Sequence, residues 1–243
     1  MPHINRRLEN TAKNDGLQPC PPPHPKPSKP SATPPPLSCD THCHVFGPRD
    51  RFPYSENRPY DPPEASYARL RALHDHLGLD RAVVVQSAIH GVDNRAMLDA
   101  LAQSGGRYRG VCNLNASFSE RDIEAMHTNG VRGVRFNFVR FLGGPPDLGV
   151  FRRVTDMVAD FGWHVTVHAW VDDLVEHADL LGSLKLPVML EHMCHIDPEA
   201  GLDQAPFRLL LDGIREHGWW SKIANGDRVS KTGRPYNDVV PYA

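Results

Sequence analysis

The chain has 243 residues, 27 Lys+Arg against 29 Asp+Glu, and is 40% hydrophobic and 8% aromatic, enough apolar material for one large α/β domain or two small ones. A formal charge of −2 gives no basis for a nucleic-acid or membrane partner, and no apolar run approaches the roughly 20 residues of a membrane span. The first residues include Asn, Arg and Glu rather than the apolar core of a secretory signal. The five cysteines (Cys20, Cys39, Cys43, Cys112, Cys194) are odd in number and widely spread. Reduced thiols in a cytoplasmic protein are therefore expected, not a disulfide framework.

Ten of the 23 prolines fall between Pro19 and Pro36, a segment that favours extended polyproline II and cannot bury apolar surface. Residues 1–36 are expected to form a disordered or loosely attached arm, and residues 37–243 the domain proper. From Leu37 onward short apolar or β-branched runs recur at 37–46, 82–88, 109–114, 131–138, 164–170, 187–193 and 219–224. Amphipathic stretches lie between them. Asp61-Pro-Pro-Glu64 has the form of a capping box, with Tyr67, Leu70 and Leu77 repeating at helical spacing up to Gly78. Ser119 can cap a helix through Ile123 and Met126 that ends near Gly130. Val150, Phe151, Val154, Met157, Val158 and Phe161 line one face before Gly162, and Phe207, Leu210, Leu211 and Ile214 do so before Gly218. Seven strand-like runs alternating with helices predict βα units and a parallel sheet, most economically a (β/α)8 barrel of the TIM type. The chain stops shortly after the seventh run, so the eighth βα unit is expected to be lacking, and a second chain could cover the open edge.

The 14 histidines then become informative. In Asp40-Thr41-His42-Cys43-His44 alternate residues share a strand face, so His42 and His44 point together at the end of strand one, where barrel active sites lie. His168 and His192 sit near the ends of strands five and six. Four imidazoles at one end of successive strands suit metal ligation, or anion binding with proton transfer. His195, in the loop after strand six, is a weaker candidate, and His74, His76, His127, His177 and His217 on helical segments are expected at the surface. Arg135 and Asn137 share a face of strand four, Arg140 follows, and Arg228 comes after strand seven. Guanidinium forks at a barrel mouth suit a small dicarboxylate. Arg132 has the opposite parity and should face the helices. Tyr60, Gln86, Ser87 and the His90–Asn94 segment could orient a substrate, with Asp93 capping the next helix.

DTHCHVF (40–46), QSAIHGVDN (86–94), GVRFNF (133–138), LEHM (190–193) and RVSKTGRPYND (228–238) together resemble the amidohydrolase-related (amidohydrolase 2) family, most closely its 2-pyrone-4,6-dicarboxylate hydrolase branch, over about residues 37–243. The resemblance implies a distorted barrel that opens a carboxylated lactone ring by attack of water. It places His42, His44 and His192 at the reaction centre, and Arg135, Arg228 and Tyr60 on the substrate. Ser87, Asn137, Arg140 and His168 complete the expected substrate-binding set. Most amidohydrolases hold a divalent metal through such histidines, whereas the pyrone branch requires none. His168 stands where that branch commonly has tyrosine, which leaves open one zinc ion on His42, His44, His168 and His192, in a metal-dependent hydrolase or decarboxylase. The family's strand-eight aspartate, which activates the water, has no counterpart here, and Asp227 and Asp238 are not assigned to that role. Impaired turnover, or a non-catalytic carboxylate-binding protein, is the corresponding expectation.

Overall fold

The computed structural model describes residue 17 and residues 20–243; positions 1–16, 18 and 19 of the expected arm lie outside the described residues. Residues 20–36 form neither helix nor strand and are mostly exposed. The Cys20 N–H donates to the Asp61 carbonyl at 3.3 Å, and the Leu37 N–H to the Asp80 carboxylate at 2.6 Å. None of the five cysteines is in a disulfide.

The described residues divide into two compact units, one running to Arg135 and one starting at Phe136. The first unit contains β1 (Cys39–Cys43), α1 (Tyr67–Leu77), β2 (Arg81–Val85), α2 (Arg95–Gln103), β3 (Tyr108–Cys112) and α3 (Glu120–Thr128). It also contains the first five residues of β4 (Val131–Asn137). β1 pairs with β2, β2 with β3 and β3 with β4, all in parallel. Each connection carries a helix because parallel neighbours need a crossover longer than a hairpin. Val84, Val85, Val111 and Val134 are fully or almost fully buried, as expected of strands covered on both faces.

The second unit contains α4 (Leu148–Ala159), β5 (His164–His168), α5 (Val171–Gly182), β6 (Val188–Leu190), α6 (Ala205–His217), β7 (Trp220–Ser221) and the short α7 (Gly226–Val229). β5–β6 and β6–β7 are again parallel. Its core gathers Phe138, Phe151, Trp163, Leu174, Leu181 and Leu190. Among the described residues no helix is long and apolar enough to cross a membrane.

Two local expectations fail. Helix α1 does not start from the Asp61–Glu64 box; its N-cap is Ser66. Asp61 is held instead by Arg49 and Arg58, and Ala65 exchanges two backbone hydrogen bonds with Phe46 at 2.9 Å, which keeps that stretch extended. His74, expected at the surface, is completely buried. Positions 67, 70, 74 and 77 form one helical line, and His74 occupies the aliphatic place in it. Of the other histidines expected outside, His217 is exposed, while His177 lies edge-on against Phe138 with ring centroids 4.9 Å apart. The Ser119 cap is present, as a reciprocal capping box with Asp122.

Candidate active site

In the first unit the end of β1 presents two imidazoles. Their Nε2 atoms are 3.3 Å apart, with rings edge to face. His44 Nδ1 lies 2.7 Å from the Val85 carbonyl, an acceptor only, so Nδ1 carries the proton and donates. The neutral His44 ring therefore has a lone pair at Nε2, and His42 donates to it from its own Nε2–H. The β2 backbone thus sets the tautomers of both rings. The Asp40 carboxylate accepts the His42 backbone N–H at 3.0 Å, fixing the strand just before the pair.

The loop after β2 supplies a second group. Ser87 is buried, caps the turn Ala88–His90 through the Ile89 N–H, and lies 3.4 Å from the Tyr60 hydroxyl. Its neighbours are braces. Gln86 donates to the Asp93 carbonyl, and Asn94 exchanges hydrogen bonds with the Asn113 backbone. His90 donates to the Pro53 carbonyl and accepts from the Gly47 N–H, and burial pushes its pKa down. Asp93 takes the Arg95 N–H and guanidinium at the start of α2, the expected capping role performed one residue before the N-cap, Asn94. Arg135 is 7% exposed. Arg132 turns to the helix side, as its parity required, and donates to the His127 carbonyl at the end of α3.

The second unit contains the other imidazoles. His168, at the end of β5, is held through Nδ1 by the Asn137 side-chain oxygen at 3.3 Å. Immediately after β6, His192, Met193, Cys194 and His195 all have φ between 51° and 55°. Left-handed backbone costs about 1–2 kcal/mol per non-glycine residue, so this turn is strained. It brings both His192 and His195 onto His168, with ring centroids 5.7 and 5.9 Å away, and 5.9 Å from each other. His195 Nε2 is buried and has no hydrogen-bond partner among the described residues. Burial, and then the Arg228 cation, push the His195 pKa down to about 4, against an opposing pull from Glu191. Glu191 is completely buried, its carboxylate 3.9 Å from both His192 Nε2 and Lys222 Nζ. Arg228 is exposed on α7, and Arg140 is exposed on the turn Arg140–Leu142.

Sequence reasoning undervalued His195 and passed over Glu191 and Lys222. A signal for His195 existed: in Glu-His-Met-Cys-His the two histidines are three apart, and a turn with three residues per repeat superposes them. Asp238, left out of any catalytic role, accepts from Ser230 Oγ, Thr232 Oγ1 and the Lys231 N–H, which hold its carboxyl well below the usual carboxylate range. It closes the loop after α7.

The arrangement can polarise a carbonyl, accept a proton on an imidazole and hold anions on guanidinium groups. A family model described as amidohydrolase matches residues 39–243. A 2-pyrone-4,6-dicarboxylate hydrolase of Comamonas testosteroni is 43% identical over 226 residues, covering 89% of this chain and 74% of that protein. A 4-sulfomuconolactone hydrolase of Rhizobium radiobacter is 35% identical over 233 residues, covering 96% and 78%. A solved structure of an Agrobacterium tumefaciens protein superposes with a TM-score of 0.77 at 25% identity, over 86% of this chain and 75% of that one.

Proposed function

The chain belongs to the amidohydrolase family, and on that premise we propose that it opens the ring of a small lactone bearing carboxylates, of the 2-pyrone-4,6-dicarboxylate type. It is a hydrolase, related to two lactone hydrolases. The fold is read as a (β/α)8-type barrel of which β1–β7 are the described strands; family membership supports this reading.

The observation that carries the proposal is the His42–His44 pair with tautomers set by the Val85 carbonyl. In this reading Arg135 and Arg228 bind the substrate carboxylates, with Arg140 at the outer end, and Tyr60, Ser87 and Asn137 orient the ring. His42 redirects its Nε2–H to the lactone carbonyl oxygen, and the charge that develops there on attack is stabilised by the donor. Water forms the new C–O bond as His192 takes its proton, and Glu191 stabilises the resulting imidazolium. The tetrahedral centre collapses, the ring C–O bond breaks, and the proton returns from His192 to the departing ring oxygen. His168, oriented by Asn137, lines the same step.

The decisive experiment follows ring opening of 2-pyrone-4,6-dicarboxylate by its ultraviolet absorbance, using the purified full chain. Turnover that falls about 10²–10⁴-fold in His192→Asn, with binding kept, is expected. A wild-type chain that binds the compound but never opens it overturns the reading and leaves a carboxylate-binding protein.

A metal-dependent variant of the same reading has its own support. His44 and His168 each have one ring nitrogen held by an oxygen acceptor, the outer contact typical of metal-ligating histidines. His42, His44, His168 and His192 would hold a divalent ion such as zinc, which when bound supplies Lewis-acid polarisation and a more acidic water. Stoichiometric metal in protein purified without chelator would replace the metal-free version.

A further inference from the structure

A second group of chemistry-bearing side chains lies between β1 and α1. Cys43 stands between the two β1 histidines in sequence, and strand alternation turns it to the other face. The β1–β2 register slips between Asp40 and Cys43, and that slip lets two residues of opposite parity reach the same helix side chain, His74. The carboxylate of Asp40, the sulfur of Cys43 and a ring nitrogen of His74 all lie within 4.8 Å of one another. His74 Nε2 is 3.2 Å from Asp40 Oδ2, and its Nδ1 is 2.7 Å from the Tyr108 hydroxyl. Arg71 in turn donates to that hydroxyl at 3.3 Å.

We propose that Asp40, Cys43 and His74 bind a divalent transition-metal ion of borderline softness, best matched by Zn2+, at a site separate from the histidines that act on substrate. One thiolate, one imidazole and one carboxylate form a donor set that zinc accepts, with water as the fourth ligand. Zinc–ligand bonds of about 2.0–2.3 Å place tetrahedral donors roughly 3.3–3.7 Å apart, so closure needs movements of about an ångström. Tyr108 is the outer partner such a site needs: with Nδ1–H donating to the hydroxyl, His74 presents Nε2 as a lone pair. The Asp40 side chain is 30% exposed, which gives an ion a way in. Charge balances, because one thiolate and one carboxylate neutralise a dication in a place where an unpaired charge would be costly.

Hydrogen bonding alone also joins α1 to β1 here, through Tyr108, His74 and Asp40. The Cys43 thiol donates to the Val83 carbonyl at 3.5 Å. Binding an ion displaces the Cys43 thiol proton and moves the His74 proton from Nε2 to Nδ1. The inference is independent of the lactone reading.

The test titrates the full chain, stripped with chelator and then freed of it, with Co2+ and afterwards with Zn2+. One equivalent of Co2+ should give a near-ultraviolet thiolate-to-cobalt charge-transfer band that Zn2+ abolishes. Cys43→Ser should lack the band, and Tyr108→Phe should keep it with about 10–100-fold weaker affinity. The His42→Asn/His44→Asn double variant should keep it unchanged. Zn2+ should raise the Tm of the wild type but not of Cys43→Ser, whose circular dichroism confirms folding. Absence of the band at one equivalent, its persistence in folded Cys43→Ser, or its loss in the His42/His44 double variant would each overturn the assignment.

Discussion

At the scale of single residues, this protein's chemistry depends on which ring nitrogen holds a proton. The Val85 carbonyl makes His44 an acceptor at Nε2, and so makes His42 the donor. In the proposed reading the guanidinium groups carry the substrate preference. Arg135→Gln and Arg228→Gln should each lower kcat/KM for a dicarboxylated lactone by about 10–100-fold, mostly through KM, since a hydrogen bond to a charged group contributes about 1.5–3 kcal/mol. Equal losses for an uncharged lactone would show that they do not bind carboxylates. His195 adds a pH effect. Its folded pKa, about 4, lies below the ordinary histidine value, so the unfolded chain binds the extra proton first as pH falls. Stability is therefore full above about pH 6.5 and declines toward pH 4, in the same direction as the buried His90. His195→Gln should flatten the denaturation midpoint against pH over that window; an unchanged slope would remove His195 as the cause.

At the scale of elements, helix α6 shows how closely a crossover helix meets its strand. A Cβ on Gly213 would stand 1.9 Å from Trp219 Cε3, and Trp219 is itself 4% exposed, so neither side can yield. Gly213→Ala gains helix propensity of about 1 kcal/mol, yet overpacking of a closed core typically costs about 1–3 kcal/mol or more. A lower urea midpoint is expected; a raised one would mean that Trp219 can move aside. The turn after β6 is the complementary case. Four successive residues in left-handed backbone form a turn that seats two imidazoles against His168.

At the scale of the whole molecule, a formal charge of −2 does not by itself attract a dianion. In the proposed reading the attraction comes from Arg135, Arg140 and Arg228 at short range. Raising ionic strength from about 0.01 to 0.1 M shortens the Debye length from about 30 to 10 Å. The kcat/KM for a dicarboxylate should then fall several-fold while that for an uncharged lactone stays constant. A rise with salt would mean that net charge, not the local arginines, governs capture.

The sequence by itself determined the order and type of the elements. Period-2 and period-3.6 patterns, Ser119 as a cap and Gly78 and Gly218 as stops are local signals; five of the seven strands fall within the runs they mark, and β2 and β3 each begin one residue earlier, at Arg81 and Tyr108. It also determined His42 and His44 as a pair, because strand alternation is local too. Only the tertiary structure decided what depends on partners distant in sequence. His74 is buried because Asp40 and Tyr108, 34 residues away on either side, satisfy its nitrogens. His195 joins the imidazole group because a strained turn, which propensity disfavours, is held in place by its surroundings. A histidine is polar enough for the surface and small enough for a core, and which of the two it takes depends on neighbours that no local pattern specifies.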